Sequence, residues 1–472
     1  MLGVARSKRA LVVGAAATLA MIATTFLPTT ATATPSSFLR RYPYLTDLVA
    51  HGVKVNWATT TAITSGSVAY GQSGVESCTA HTVSATKTAI TVGSTAEYQW
   101  KAAIPGLKGN SAYCYRILGN GTDLLGSDPS PVFTSQIPAG STTSYSFAVL
   151  GDWGWQDTST LNTDQANVLA RIASSGARFA ISTGDVAYDS GSQTNYGDLQ
   201  QTGAGVSTVF GLSYWKVAGA TIPMFNVLGN HGLNSTALTN WPEAHAVSSS
   251  GGRYRMETYC CTNGTKSASY PSAWYAFNAG AARFYILDAS WANSNVGTTN
   301  LYENDYDNHW TTTSDEYQWL AADLAAHPGG LKFAFFHFPL HSANSTEASD
   351  TYLSGAGNLE GLLAQNGVDI IFNGHAHTYA RSAPAGMPVN YVTGGGGAKL
   401  EPADRCGAPI EAALGWSYSS STHGSSCGSL PRPTALDQIF HFLLVTVKGS
   451  TVTVAPTDEQ GRTFDVQTYT FG

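Results

Sequence analysis

Apolar residues run along this chain in two rhythms, which change over near residue 140. Before that point they alternate with polar ones, as in Val53-Lys-Val-Asn-Trp57, Gly66-Ser-Val-Ala-Tyr70, Thr88-Ala-Ile-Thr-Val92 and Tyr113-Cys-Tyr-Arg-Ile117. Alternation puts every second side chain on one face, so these segments predict half-buried strands separated by turns. Trp57 early and Tyr113 with Tyr115 late fit a sandwich with an aromatic core. Residues 41–138 therefore read as a small all-β domain, with no ligand chemistry of its own. Beyond Pro138 the apolar runs become short and dense: Tyr145-Ser-Phe-Ala-Val-Leu150, Arg178-Phe-Ala-Ile181, Pro223-Met-Phe-Asn-Val-Leu228, Arg283-Phe-Tyr-Ile-Leu287, Leu331-Lys-Phe-Ala-Phe-Phe336 and Val368-Asp-Ile-Ile-Phe372. Strands apolar on both faces predict sheets covered on both sides. Helix-like stretches at 164–174, 315–326 and 359–365 lie between them, and strand, loop, helix repetition predicts an α/β fold. The tail returns to β-character at 440–447 and 451–454. The Gly/Ser-rich passage 394–430 is expected to be a long loop, and Trp153 and Trp155 to fill space.

The dense strands end alike. Gly151-Asp152, Gly184-Asp185-Val-Ala-Tyr188, Gly229-Asn230-His231, His337 and Gly374-His375-Ala-His377 each close an apolar run with residues that carry a free lone pair. Sheets of this class bring the carboxyl ends of their strands into one crevice. Each residue has an ordinary alternative, such as a helix cap or a Gly-Asn turn. Five in register with five strand ends point instead to one site. Carboxylates, an amide oxygen, a phenol and imidazoles suit zinc, iron or manganese, whereas calcium alone would not select imidazole. The preceding glycines allow close backbone approach.

Composition narrows the setting. Residues 1–33 combine a basic start (Arg6, Lys8, Arg9), an apolar stretch over 10–27 and the small-x-small triplet Ala31-Thr-Ala33. That is the order of a cleaved secretory signal peptide, so a secreted, extracellular protein without stable membrane association is expected. Without the three basic residues of that segment, 21 of the 24 basic residues face 31 acidic ones, a formal charge of −10. A surface of that sign argues against a nucleic-acid-binding surface. The roughly 440 remaining residues exceed one core, so two domains are expected. The six cysteines of an exported chain predict disulfides. Cys78 with Cys114 and Cys406 with Cys427 are the expected pairs, and the adjacent Cys260-Cys261 either pair together or reach other partners. All fifteen pairings stay open at this stage. Asn120, Asn234, Asn263 and Asn344 lie in Asn-x-Ser/Thr sequons. No dinucleotide fingerprint, Walker loop or nucleophile elbow is tied to a strand, so no nucleotide cofactor or serine nucleophile is expected.

From residue 41 to its end the chain resembles the calcineurin-like metallophosphoesterases and, within them, the purple acid phosphatases. The resemblance implies two mixed β-sheets flanked by helices over 145–472, preceded at 41–138 by a fibronectin type III-like domain. It also implies two metal ions. Asp152 would be a terminal ligand of the first, Asp185 would bridge both, and Tyr188 would bind the first through its phenolate. Asn230, His337 and His375 would hold the second, and His377 would return to the first. Iron(III) is implied at the Tyr188 site, with zinc, iron or manganese at the other. Tyr188 narrows the resemblance to the purple class, because ordinary members of the superfamily lack it. The chain departs from the common pattern at Gly154, where most members have a histidine, and at Gly232, where they have an acid. The family places further substrate-contacting histidines after the His337 position. Here His341 and Asn344 are the candidates, at spacings that do not match.

The implied activity is that of an acid phosphatase acting on small phosphate esters. Two cations would lower the pKa of a held water, so that hydroxide attacks phosphorus in line. His231, next to Asn230, is expected to act as general acid or to stabilise the phosphoryl oxygens. The alternative is that it only orients Asn230 or Asp185. His341 is read either as a substrate contact or as loop packing. A phosphodiesterase, nucleotidase or pyrophosphatase would use the same two-metal site, whereas a purely adhesive protein would not need a complete ligand set.

Overall fold

In the computed structural model the dense apolar strands become the middles of two mixed sheets. The structure describes residues 35–155, 163–188, 192–200, 216, 218–227, 229–232, 265–266, 274–287 and 315–472. The expected signal peptide, Cys260-Cys261 and the sequons at Asn234 and Asn263 lie outside the described residues. Strands Tyr145–Leu150, Ala180–Ser182 and Met224–Asn226 pair in parallel inside a ten-stranded sheet. Ala282–Ile286, Leu331–Phe335, Ile370–Asn373 and Val389–Thr393 do the same inside a nine-stranded one. Antiparallel neighbours complete both, including His441–Lys448 beside Tyr145–Leu150 and Tyr379–Ser382 beside Val389–Thr393.

The period of two explains why these strands are apolar throughout. Phe333, Phe335, Ile370 and Phe372 point into the large cluster between the sheets. Ala334, Phe336 and Ile371 point the other way, where they pack with Leu320 and Leu324 of helix Asp315–Ala326 and with Leu362 and Leu363 of helix Leu359–Gln365. Val168, Leu169 and Ile172 of helix Thr163–Ser174 join the large cluster. Phe147 sits at its centre, stacked on Phe179 at 5.5 Å and edge-on to Phe284 at 5.1 Å. Its ring also lies 5.6 Å from Phe333 and 6.4 Å from Phe372, so one side chain joins the two sheets.

The alternating segments near the start build a sandwich. Gly66–Gln72 and Ala112–Gly119 pair within a five-stranded sheet. Leu39–Val49, Gly52–Thr60, Thr95–Ile104 and Thr86–Val92 form the other layer, with Trp57 stacked on Trp100 at 6.0 Å. That layer does not stop at the sandwich. Thr46 pairs in parallel with Met224, so the same ladder runs on into the ten-stranded sheet. Tyr115 strengthens the junction by donating its hydroxyl to the Ala220 carbonyl at 2.8 Å. Cys78–Cys114 and Cys406–Cys427 are both bonded as expected.

One expectation fails. Within 394–430, Ile410–Trp416 and Gly424–Gly428 form a hairpin on the edge of the nine-stranded sheet. The passage reads as loop because glycine and serine are rare in strands. Here small residues are required, since other chain segments run directly over the hairpin: a Cβ on Gly424 would strike the Pro433 carbonyl.

Candidate metal centre

Every strand end singled out for its lone pairs opens at the same edge, where the two sheets meet. Asp152 follows Tyr145–Leu150, Asp185 follows Ala180–Ser182, and Asn230 and His231 start the short turn Asn230–Gly232 after Met224–Asn226. His337 follows Leu331–Phe335, and His375 and His377 follow Ile370–Asn373. The sheets are tied there by His337 Nδ1, which meets the Thr183 carbonyl at 2.9 Å. Ligand atoms of Asp152, Asp185 and His337, all buried, lie within 4.8 Å of one another.

The donors divide into two groups around Asp185. On one side Tyr188 Oη donates to Asp152 Oδ1 at 3.1 Å and lies 3.1 Å from His377 Nε2. On the other side Asn230 Oδ1 faces His337 Nε2 at 2.7 Å and His375 Nδ1 at 3.1 Å. Asp185 Oδ2 stands 3.4 Å from His337 Nε2. Both carboxylates are aimed by backbone. Asp152 Oδ2 accepts the His375 N–H at 2.9 Å, and Asp185 Oδ1 accepts the His231 N–H at 3.0 Å. The second oxygen of each is left to face inward. Neighbouring histidines in the Gly-His-x-His turn thus serve different groups, His375 with Asn230 and His377 with Tyr188.

The local backbone explains the glycines. A Cβ on Gly229 would fall on the Asp185 carboxylate. At Gly154, where the family resemblance leads to the expectation of a histidine, a Cβ would strike the Val186 carbonyl, so this chain has no room for that side chain. Three donors are themselves left-handed: Asp152, Asp185 and His375 have φ of 56°, 50° and 69°.

The field inside is negative. Burial alone would raise the Asp185 carboxyl, but His337 and His231 beside it hold it far below the usual range. Burial would lower His337, yet Asp185 outweighs it and pushes the imidazole up to about 9. His377 behaves alike, lowered by burial and raised more by Asp152, to about 9. The Tyr188 phenol is driven upward by burial and then by Asp185 and Asp152. Lone pairs converging in a buried, negative pocket are the arrangement that cations satisfy, and the donor set fits two of them sharing Asp185.

His231 lies at the rim. Its side chain is 33 % exposed while the carboxylates are buried, and its ring is 4.3 Å from that of Tyr188. His341 is placed elsewhere: Nε2 meets Glu360 Oε1 at 2.7 Å, and no described contact joins it to the cluster. Asn344 is fully buried and holds a turn. Trp153 is buried, with its Nε1 donating to Ser182 Oγ at 2.9 Å, and Trp155 packs edge-on against Tyr188 at 5.2 Å. Two participants were not singled out from sequence. Glu401 Oε2 accepts the His377 N–H at 3.2 Å, and Glu347 Oε2 meets His375 Nε2 at 2.6 Å. Neither follows a dense strand, so no sequence pattern marks them.

Residues 145–379 match the family model for calcineurin-like phosphoesterases. Purple acid phosphatase 15 of Arabidopsis thaliana is 26% identical over 352 residues, which cover 65% of this chain and 56% of that protein. The chain thus spans little more than half the length of that relative. Purple acid phosphatase 18 of the same plant is 36% identical over 104 residues, 20% of this chain and 22% of that protein. Among solved structures, a purple acid phosphatase from yellow lupin (Lupinus luteus) seeds shares the fold, with a TM-score of 0.59 at 16% identity, covering 92% of this chain and 74% of that one.

Proposed function

We propose that this chain, which belongs to the calcineurin-like phosphoesterase family through residues 145–379, is a secreted acid phosphatase that hydrolyses small phosphate monoesters at the cluster around Asp185. The observation that carries the reading is the position of Asp185, whose inward oxygen lies between two groups of lone-pair donors. Asp152, Tyr188 and His377 would hold one cation, Asn230, His337 and His375 the other, and Asp185 both. Two cations so held would supply a water of lowered pKa and a clamp for the attacking and leaving oxygens. Tyr188 favours iron(III) in the first position, because a buried phenol loses its proton only to a strong Lewis acid; zinc, iron or manganese suits the second.

The chain's own residues do the rest. Backbone N–H groups of His231 and His375 keep both carboxylates aimed inward. His231, at the rim and a third exposed, is placed to give a proton to the leaving oxygen or a positive partner to the phosphoryl group. Residues 1–33 are assigned to a cleaved signal and 41–138 to a fibronectin type III-like domain.

The test is Asp185→Ala, read by element-resolved metal analysis and by turnover of a chromogenic phosphate ester. Loss of both metal and turnover is expected. A full rate with intact metal content would remove the site. A panel of mono- and diesters measured on the wild type separates a phosphatase from a phosphodiesterase, nucleotidase or pyrophosphatase.

A further inference from the structure

Each of the three imidazoles in the cluster turns one nitrogen inward and has the other held from outside, and the holders differ. His337 Nδ1 meets the Thr183 carbonyl at 2.9 Å, and His377 Nδ1 meets the Lys399 carbonyl at 2.8 Å. His375 is turned the opposite way. Its Nδ1 faces the Asn230 amide oxygen, and its Nε2 meets a carboxylate, Glu347 Oε2, at 2.6 Å. An outer carboxylate that accepts the N–H selects the tautomer, fixes the ring plane and makes the inner nitrogen a stronger donor.

The position of Glu347 is itself built. The fully buried Asn344 accepts the N–H groups of Thr346 and Glu347 on Oδ1, at 2.7 and 2.6 Å, while its Nδ2 donates to the Pro402 carbonyl at 2.8 Å. Ser345 Oγ donates to Asp404 Oδ2 at 2.6 Å, and Arg405 N to the Ala343 carbonyl at 2.8 Å. The turn over 343–347 is therefore bolted to 402–405, not to the strands that carry the cluster.

We infer that Glu347 is the positioning residue of the Asn230–His337–His375 half of the centre, holding His375 with Nδ1 unprotonated and directed at the cation. The inference rests on the two-cation reading above. Glu347 does not touch the reacting atoms; it acts through His375.

The experiment strips the purified full-length protein with a chelator and titrates it with Zn²⁺ by calorimetry. The wild type is expected to take two equivalents. Glu347→Ala should weaken one of them by about 10–100-fold and leave the other unchanged. Glu347→Gln, whose amide oxygen still accepts the Nε2–H, should fall between. Asn344→Ala, which releases the turn without touching an imidazole, should weaken the same equivalent. A thermal melt confirms that each variant is folded. Two equivalents of wild-type affinity in folded Glu347→Ala, or both weakened alike, would overturn the assignment while leaving the two-cation reading intact. A wild type that takes up no zinc would overturn both.

Discussion

At the scale of single residues, the centre is built from strained donors. Asp152, Asp185 and His375 all occupy the left-handed region, which costs an L-residue roughly 1–2 kcal/mol. Of the three, His375 presents its own N–H to Asp152 in that conformation, while Asp185 accepts the N–H of His231. Nothing in the sequence marks those φ values, although the residue types were legible as donors. Two substitutions separate the roles within the cluster. His231→Ala is expected to keep both metals and to lose about 10²–10⁴-fold in turnover, the usual size of a general acid's contribution. An unchanged rate would reduce His231 to the backbone N–H that Asp185 accepts. Tyr188→Phe addresses the iron assignment: the wild type should absorb visible light through the phenolate, and the variant should be bleached. A colourless but fully metallated wild type would mean a different metal pair. Asn344 shows how a local motif can be overridden by its surroundings. It lies in a sequon, yet its amide is fully buried and donates to the Pro402 carbonyl.

At the scale of elements, the dense strands and three helices were legible because periodicity records which faces are covered. The 315–326 and 359–365 stretches became helices with those bounds. The hairpin within 394–430 was not legible, because its strands are specified by backbone packed against them and by the Cys406–Cys427 bridge, not by apolar side chains. Packing between the sheets falls heavily on Phe147, with aromatic neighbours from both. Phe147→Ala should cost about 3–5 kcal/mol, measured by urea denaturation. A loss below about 1 kcal/mol would show that the surrounding rings collapse to fill the space.

At the scale of the whole molecule, the N-terminal layer and the α/β region share a ladder through Thr46 and Met224. Their junction also buries charge. Glu97 of Thr95–Ile104 lies beside Arg40 and Arg41 of Leu39–Val49 and beside Asp198, just beyond helix Gln193–Tyr196. Burial first, and Asp198 second, push the Glu97 carboxyl up to about 9, against the two arginines. A carboxyl raised in the folded state binds its proton more tightly there than in the unfolded chain. Its contribution is thus complete below the ordinary value of 4.5 and is lost as pH rises towards about 9. Stability from this group should fall across that window, and Glu97→Gln should flatten the fall in thermal melts taken from pH 5 to 9. A melting profile with the same slope in the variant would show that Glu97 is ionised throughout.

Periodicity determined the succession of sheets and helices, and the residues closing each dense strand determined which chemistry was open to the chain. Both are local properties, written in neighbouring side chains. Tertiary structure decided how the donors divide, with His375 on one side of Asp185 and His377 on the other, two residues apart in sequence. It also decided that Glu347 stands behind His375 and that His341 turns away to Glu360. The position of Glu347 depends on where a buried asparagine bolts one loop to another, and contacts between distant segments leave no periodic trace in the chain.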